Sequence, residues 1–544
     1  ELMWRSAAFP ERVHLQPCKA CAMSLLPPVA RKRRREGLRG HSGHLPHRSE
    51  RTKVGSVLAT AFVAVGSLSA LLLATGGGSS ALPSRGFVGR AGSDARGTAR
   101  PLASRALSRR GRTAASALAT EVVAGAERST AGLWGKLFDW VNSTGTDTSD
   151  FAVEVAPSDV AKGELGLVAK RDLEAGDILI WAPTSMLLSR GRAVERWPFA
   201  ADLEDRVAIM MLLIYERCVL GESSEWATYW GGLPSFAGDV SGPSFLWEED
   251  EWEWLAGSDG YPASIQMQNR VVDMWESVQP LMKERPEEFP PEAFTAENFF
   301  WAAGVVSSRA YGDDAEGSHL CIAPLVDFLN HKAGALQLTR FGNGIVAYAH
   351  KRYQKGDEVW VSYGGKNNAQ ILSQYGFVDE DNQEEAVFLR VGEHLKIAEP
   401  HAAAKAALLA ELLGDGRPAE AGIFRLARRP REWQAQLIPA VRILALGAED
   451  TPPATVRELV PTQAFKLEGA AWRLLAEAME SRDGEYPGTL QENRRQLDAG
   501  GLTERQALGL RLRLSERELL LLSRAHCLEQ AELVAEAQAR LEGA

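Results

Sequence analysis

The side chains best suited to chemistry crowd into residues 325–377. Leu325-Val-Asp-Phe-Leu-Asn-His331 opens the stretch, and Val359-Trp-Val-Ser-Tyr-Gly364 and Gln374-Tyr-Gly-Phe-Val378 close it. Asp327, Asn330, His331, Tyr363 and Tyr375 thus set a carboxylate, an amide, an imidazole and two phenols into otherwise apolar sequence. Groups of this kind orient a polar ligand while apolar neighbours exclude water. Each alone also has a plain structural reading: a lone buried His is most often a satisfied core residue, a Tyr at a strand end can be structural, and Asp327 can be a solvated strand-edge acid. No His/Cys ligand set stands out, so no metal is expected. Cys18-x-x-Cys21 has no second pair near it and reads as incidental.

These side chains need elements to hold them. Lys355-Gly-Asp-Glu358 reads as a turn feeding the strand Glu358–Ser362, which ends at Tyr363. An apolar strand, Ile322–Leu329, is expected just before Asn330 and His331. The helix spacing over Asn298–Val306 delivers Arg309, whose planar fork suits a carboxylate. Upstream, Gly163-Glu-Leu-Gly-Leu-Val-Ala169, the turn Asp172–Asp177 and Ile178–Ile180 read as strand, turn, strand, with Gly163 and Gly166 allowing close backbone approach to a ligand. Leu133–Val141 and Asp205–Leu220 have helical apolar spacing, and Trp226, Trp230, Trp247, Trp252 and Trp254 read chiefly as core.

In this order, the Gly-rich hairpin, long helical insert, Asn-His pair and Tyr-Gly strand resemble the SET-domain methyltransferases, in particular the branch typified by the Rubisco large-subunit lysine methyltransferase. The stretches that carry the likeness are 163–169, Trp226-Ala-Thr-Tyr-Trp-Gly-Gly-Leu-Pro234, Ser307-Ser-Arg-Ala-Tyr311, 325–331 and Tyr363-Gly-Gly-Lys-Asn-Asn-Ala369 through Phe377. The likeness spans residues 133–544. It implies an α+β fold: a SET β-fold with a pseudoknot and a helical insert (131–380, insert 195–305), then an all-α substrate-binding domain (381–544). It further implies transfer of a methyl group from S-adenosylmethionine to a lysine, or a histidine, of a protein substrate. Tyr363 is then the catalytic tyrosine. Gly163, Glu164, Leu165, Arg309, Asp327, Asn330, His331, Tyr375, Gly376 and Phe377 would contact the cofactor, the hairpin mostly through main chain and Phe377 by stacking on adenine. Tyr375 and Tyr311 would line the lysine channel; relatives commonly carry Phe where Tyr311 stands. The alternative from another class is a non-catalytic SET-like module that only binds a partner protein.

Residues 381–544 carry apolar side chains at helical spacing over Ala402–Leu413, Trp433–Leu446, Ala464–Ala478, Leu502–Leu514 and Glu516–Arg540. The run Leu519–Leu522 predicts a helix buried on most sides.

Charge divides the chain. Residues 1–118 hold 20 Lys+Arg against 5 Asp+Glu, leaving 41 against 66 for the remainder, so the first part carries +15 and the rest −25. An acidic body argues against bulk nucleic-acid binding and favours basic substrate segments. Five cysteines make no disulfide framework and suit a reducing compartment. Within the leader (1–130), Val54–Thr75 is 22 residues without a charge, long enough to cross a bilayer once. The basic run 31–35 flanks it, and Arg/Ser/Ala-rich, acid-poor sequence over 81–120 follows, a composition that suits a transit peptide. The arrangement resembles the bipartite leaders of complex plastids; a permanent single-pass anchor is the rival. Membrane contact is expected only through 54–75, and the body is expected to be a monomer.

Overall fold

The computed structural model describes residues 130–158, 165–236, 242–312, 320–341, 344–414, 416–458 and 465–543. The leader, with Cys18, Cys21, segment 54–75 and segment 81–120, lies outside the described residues, as do Gly163 and Glu164. Among the described residues no helix is long and apolar enough to cross a membrane.

Two turns of like chemistry set the frame. Asp172-Leu-Glu-Ala-Gly-Asp177 and Arg352-Tyr-Gln-Lys-Gly-Asp357 both end on Gly-Asp. In each, the closing aspartate accepts a main-chain N–H three residues back, from Glu174 at 3.2 Å and from Gln354 at 2.8 Å. A side-chain acceptor of this sort makes a turn self-supporting. Reciprocal main-chain bonds between Leu173 and Tyr353 join the two turns.

Helix α1 (Thr130–Ser143) precedes strands β1 (Val153–Pro157), β2 (Leu165–Ala169), β3 (Ile178–Pro183) and β4 (Leu188–Ser189). A helical stretch follows: α2 (Asp205–Ile214), running into a π-helical turn over Tyr215–Leu220, then α3 (Gly260–Glu284) and α4 (Ala296–Arg309). Next come β5 (Ala310–Tyr311), β6 (Cys321–Ile322), β7 (Asn330–His331), β8 (Thr339–Phe341), β9 (Gly344–Tyr348), β10 (Glu358–Val361) and α5 (Asn368–Tyr375). The strands form small sheets ordered β1-β2-β10-β7, β3-β9-β8 and β4-β6-β5. The first positions the site. In it β10 runs antiparallel to β2 and parallel to β7, with Trp360 opposite Asn330 and Val361 opposite His331. Because β7 and β10 run the same way and end together, the residues that follow β10 emerge beside His331.

One apolar core joins these strands to the helical insert: Leu167, Ile180 and Val359 pack in the same cluster as Ile209, Leu213, Phe299 and Val305. Burying side chains of this size contributes about 1.5–3 kcal/mol each. Of the five Trp expected in the core, Trp226, Trp247 and Trp252 are buried, and Trp230 and Trp254 are half-buried. Trp247 and Trp252 pack with Leu372, Leu508 and Leu512, so they tie the insert to α5 and to the C-terminal helix.

The C-terminal region is helical: α6 (Ala402–Leu413), α7 (Leu437–Leu444), α8 (Phe465–Asp483), α9 (Leu490–Ala499) and α10 (Glu504–Glu542), but the expected all-α domain also contains β-structure. Strands β11 (Ala386–Arg390) and β12 (Ile423–Ala427) pair antiparallel across the intervening helix α6. At five residues each, Ala386–Arg390 and Ile423–Ala427 are too short to declare a period, and the pairing is non-local. The two helices expected over 502–514 and 516–540 are one. Polar residues at 513–517 interrupt the apolar spacing, yet Arg513, Glu516 and Arg517 are buried, so the break marks an internal charge network and not a helix end. Leu519 and Leu520 are buried as expected, whereas Leu521 and Leu522 are exposed: four consecutive residues fan out over about 300° of the helix and cannot share a face. The expected strand Ile322–Leu329 is also replaced, by β6 and a 3₁₀ turn at Val326–Phe328.

Candidate active site

Helix α4 is capped by Thr295, whose hydroxyl accepts the Asn298 N–H at 3.1 Å, and ends at Arg309. Its last residue faces the 3₁₀ turn that carries Asp327. Arg309 Nη1 donates to Asp327 Oδ2 (3.1 Å) and to its main-chain oxygen (3.2 Å). Tyr229, wholly buried in the insert, donates its hydroxyl to the same Oδ2 at 2.5 Å. The Asp327 side chain is 1 % exposed, which removes the solvated-acid reading. Burial pushes its carboxyl above the usual range, while Arg309 and Tyr229 pull it back. Burial is the largest single influence and opposes the charge on Arg309, but Asp327, Tyr229 and Tyr363 together outweigh it and hold the guanidinium above its ordinary value. Among the described residues, Asp327 Oδ1 and Arg309 Nε are buried without a hydrogen-bond partner, one acceptor and one donor on the two members of an ion pair.

Asn330 and His331 stand on β7. Asn330 Nδ2 donates to the Leu165 carbonyl on β2 (3.2 Å) and to Glu358 Oε1 on β10 (2.9 Å). His331 Nδ1 accepts the main-chain N–H of Tyr363 at 3.0 Å. That bond requires an unprotonated Nδ1, and burial lowers the imidazole's pKa, so the ring is neutral at physiological pH.

Tyr363 lies two residues past β10, and its hydroxyl donates to the Leu329 carbonyl at 2.9 Å. Its ring stacks on Tyr375 (centroids 4.7 Å, interplanar angle 26°) and meets Phe377 edge-on at 6.4 Å. His331 lies 5.1 Å from the Tyr363 ring and 6.0 Å from Phe377. Tyr375 and Phe377 are delivered by α5 through its αL cap, Gly376. A Cβ on Gly376 would fall 2.3 Å from the Gly242 carbonyl carbon, so the chain approach and the positive φ of 88° both demand glycine. Lys366 reaches back over this group, donating to the Tyr363 carbonyl (2.7 Å) with its Nζ 5.8 Å from the Tyr375 centroid. Tyr311, on β5, donates its hydroxyl to the Leu338 carbonyl at 2.7 Å.

The contacts fall into three sets: Arg309 with Asp327 and Tyr229, Asn330 with Leu165 and Glu358, and His331 with Tyr363, Tyr375 and Phe377; the pairing of β7 with β10 holds the last two sets next to each other. Gly166 has a different task from the one its sequence suggests: the space beside it is filled by Glu358 and Asn330. Sequence reasoning passed over Tyr229, Glu358 and Lys366. The strand Glu358-Val-Trp-Val361 is buried at every position, and an acid in such a strand needs partners, which is the signal that could have found Glu358.

Comparison with known proteins places the fold. Residues 164–364 match the SET domain family, and residues 398–520 match the family described as Rubisco LSMT substrate-binding. The chain is 25% identical over 404 residues to the pea (Pisum sativum) chloroplastic ribulose-1,5 bisphosphate carboxylase/oxygenase large subunit N-methyltransferase, covering 70% of this chain and 79% of that protein. It is 25% identical over 390 residues to actin-histidine N-methyltransferase of Danio rerio (67% and 63% covered). It is 23% identical over 414 residues to the chloroplastic fructose-bisphosphate aldolase-lysine N-methyltransferase of Arabidopsis thaliana (70% and 80%). Among solved structures it shares its fold with the LSMT SET domain bound to lysine and AdoHcy, at TM-score 0.59 and 23% identity over 74% of this chain and 92% of that one. Rubisco LSMT bound to AdoMet gives TM-score 0.58 at 22% identity, over 75% and 96%. A SET domain at 164–364 followed by a substrate-binding region at 398–520 defines the architecture: the chain is a SET-domain protein carrying a Rubisco LSMT substrate-binding domain.

Proposed function

We propose that this protein is an S-adenosylmethionine-dependent protein methyltransferase acting on a lysine side chain. The observation that carries the reading is the meeting of Tyr363 with His331, Tyr375 and Phe377, with the Tyr363 hydroxyl held by the Leu329 carbonyl. We assign residues 131–380 to the SET domain, with its insert at 195–305, and 381–544 to substrate binding. Within the first, the segments around 330 and 363 thread past one another as a pseudoknot.

The residues fit the cofactor. Its amino-acid group needs a donor for the carboxylate and an acceptor for the ammonium, and the partnerless Arg309 Nε and Asp327 Oδ1 offer one of each. Leu165, Asn330, His331, Gly376 and Phe377 complete the set, with Gly163 and Glu164 assigned from the sequence. When bound, the cofactor supplies a methyl group on a positively charged sulfur. The chain's part is to align the acceptor and exclude water. Tyr363 donates a hydrogen bond to the Leu329 carbonyl, which orients the phenolic oxygen as an acceptor toward positive charge. The walls of Tyr363, Tyr375 and Phe377, with Tyr311 assigned to the channel, strip water from the incoming ammonium. Desolvation lowers a lysine pKa from about 10.4, so the attacking amine is neutral.

Purified protein incubated with heavy-methyl cofactor and candidate extracts, read by mass spectrometry, tests the reading. Lysine products support it, and histidine products favour the acceptor named for the actin relatives. Cofactor binding without transfer supports a binding module. Tyr363→Phe is expected to cut turnover about 100-fold with cofactor affinity nearly unchanged; near-normal turnover removes Tyr363 from the chemistry.

The same reading routes the chain to a plastid. The basic, acid-poor leader supports this, as do the chloroplastic names of the pea, tobacco (Nicotiana tabacum) and Arabidopsis relatives. N-terminal sequencing of the mature protein decides between cleavage and a retained anchor, since a start upstream of Val54 leaves the apolar span in place.

A further inference from the structure

A buried acid underlies the site without touching the aromatic group. Glu358 opens β10 and is 6 % exposed. Ser158 donates its hydroxyl to the carboxylate at 2.9 and 3.1 Å, and Asn330 Nδ2 donates to Oε1 at 2.9 Å. The amide of Asn330 thus meets two acceptors, a carboxylate and the Leu165 carbonyl at 3.2 Å. An amide nitrogen carries two hydrogens and its oxygen carries none, so only one orientation satisfies both neighbours. The flipped amide would set its oxygen against two oxygens. Both hydrogens are spent inward, and the oxygen is the hydrogen-bonding atom that Asn330 has left to offer.

We propose that Glu358 is a positioning residue: it locks the amide of Asn330 so that the site presents an acceptor, not a donor, to the cofactor's amino group. The inference rests on the methyltransferase reading above. It also accounts for Gly166. A Cβ there would lie 2.3 Å from Glu358 Oε1 and 3.0 Å from Asn330 Nδ2. A carboxylate tied to Ser158 and Asn330 cannot swing aside without releasing the amide, so the glycine leaves room for the lock.

The test is calorimetric binding of S-adenosylmethionine to the full chain, with melting temperature recorded for each variant. Glu358→Gln keeps an acceptor for Asn330 and can donate its own amide to Ser158; its affinity should stay within about threefold of wild type. Glu358→Leu removes the acceptor and should weaken binding about tenfold or more. In an Asn330→Ala background the same leucine change should cost nothing further, because the acid acts through that amide. A merely structural role for the acid would give losses that multiply across the two sites. Should the leucine variant not fold, Gly166→Ala serves in its place, since its methyl displaces the carboxylate and should weaken binding to a similar degree. Binding by Glu358→Leu within threefold of wild type, a glutamine variant no better than leucine, or independent losses in the double variant overturns the positioning role. Absence of binding by the unmodified chain overturns the methyltransferase reading and this inference with it; intact wild-type binding that ignores Glu358 overturns this inference alone.

Discussion

Asp327→Asn probes the ion pair beneath the site with little change of shape. Two charge-assisted bonds converge on Oδ2, from Tyr229 at 2.5 Å and Arg309 at 3.1 Å. Reducing each to neutral strength costs about 1 kcal/mol apiece. The guanidinium then loses its counter-charge in a place where Asp327 is 1 % and Arg309 18 % exposed. Broken buried pairs cost about 3–5 kcal/mol. Arg309 keeps the Asp327 main-chain oxygen at 3.2 Å and some solvent, so the low end applies, about 3 kcal/mol. Tyr229→Phe deletes one donor and leaves the pair, for about 1–2 kcal/mol. Thermal melting of the purified protein should show a drop of about 4–6 °C for the first and about one to two thirds of that for the second. An Asp327→Asn variant that melts with the wild type, or a Tyr229→Phe variant that loses as much, refutes the assignment of the energy to the Arg309–Asp327 charge pair.

Acid should weaken the site through His331: its folded pKa lies below 6.5, so as pH falls through that value the unfolded chain takes a proton that the folded imidazole refuses. The His331 contribution is therefore fully present above pH 6.5 and is lost below it, and a stability–pH curve of His331→Gln should lack this component. Gly376→Ala must place a methyl 2.3–2.6 Å from the Gly242 backbone at φ 88°, and a loss of at least about 2 kcal/mol in denaturant titration is expected. Arg482, 1 % exposed, bonds Asp259 at 3.3 Å and Glu485 at 3.0 Å beside a fully buried Glu516. Arg482→Met should cost about 3–5 kcal/mol, against about 1–2 for Tyr486→Phe, which removes one hydroxyl bonded to Glu516 at 2.6 Å.

The aromatic and amide–imidazole parts of the site were legible because they sit in short, ordered motifs flanked by strands and turns. Arg309 was legible as the end of an apolar-spaced helix. The Asp327 environment was not, since its partners Tyr229 and Arg309 lie 98 and 18 residues away in sequence. The same separation hid the β11–β12 pairing and made the charges of 513–517 look like a helix break.

Local chemistry alone determined the Gly-Asp turns, the helix ending at Arg309, and the identity of the phenol, amide and imidazole. Each depends on residues within a few positions of one another, where backbone geometry leaves few choices. Only the tertiary structure decided which atoms those groups turn outward. Glu358 claims a hydrogen of Asn330, Tyr363's main chain claims His331 Nδ1, and Leu329 claims the phenolic proton, all through contacts 28 to 34 residues apart. A side chain's type is written in the chain, but its free valence depends on neighbours that arrive only when the strands pair.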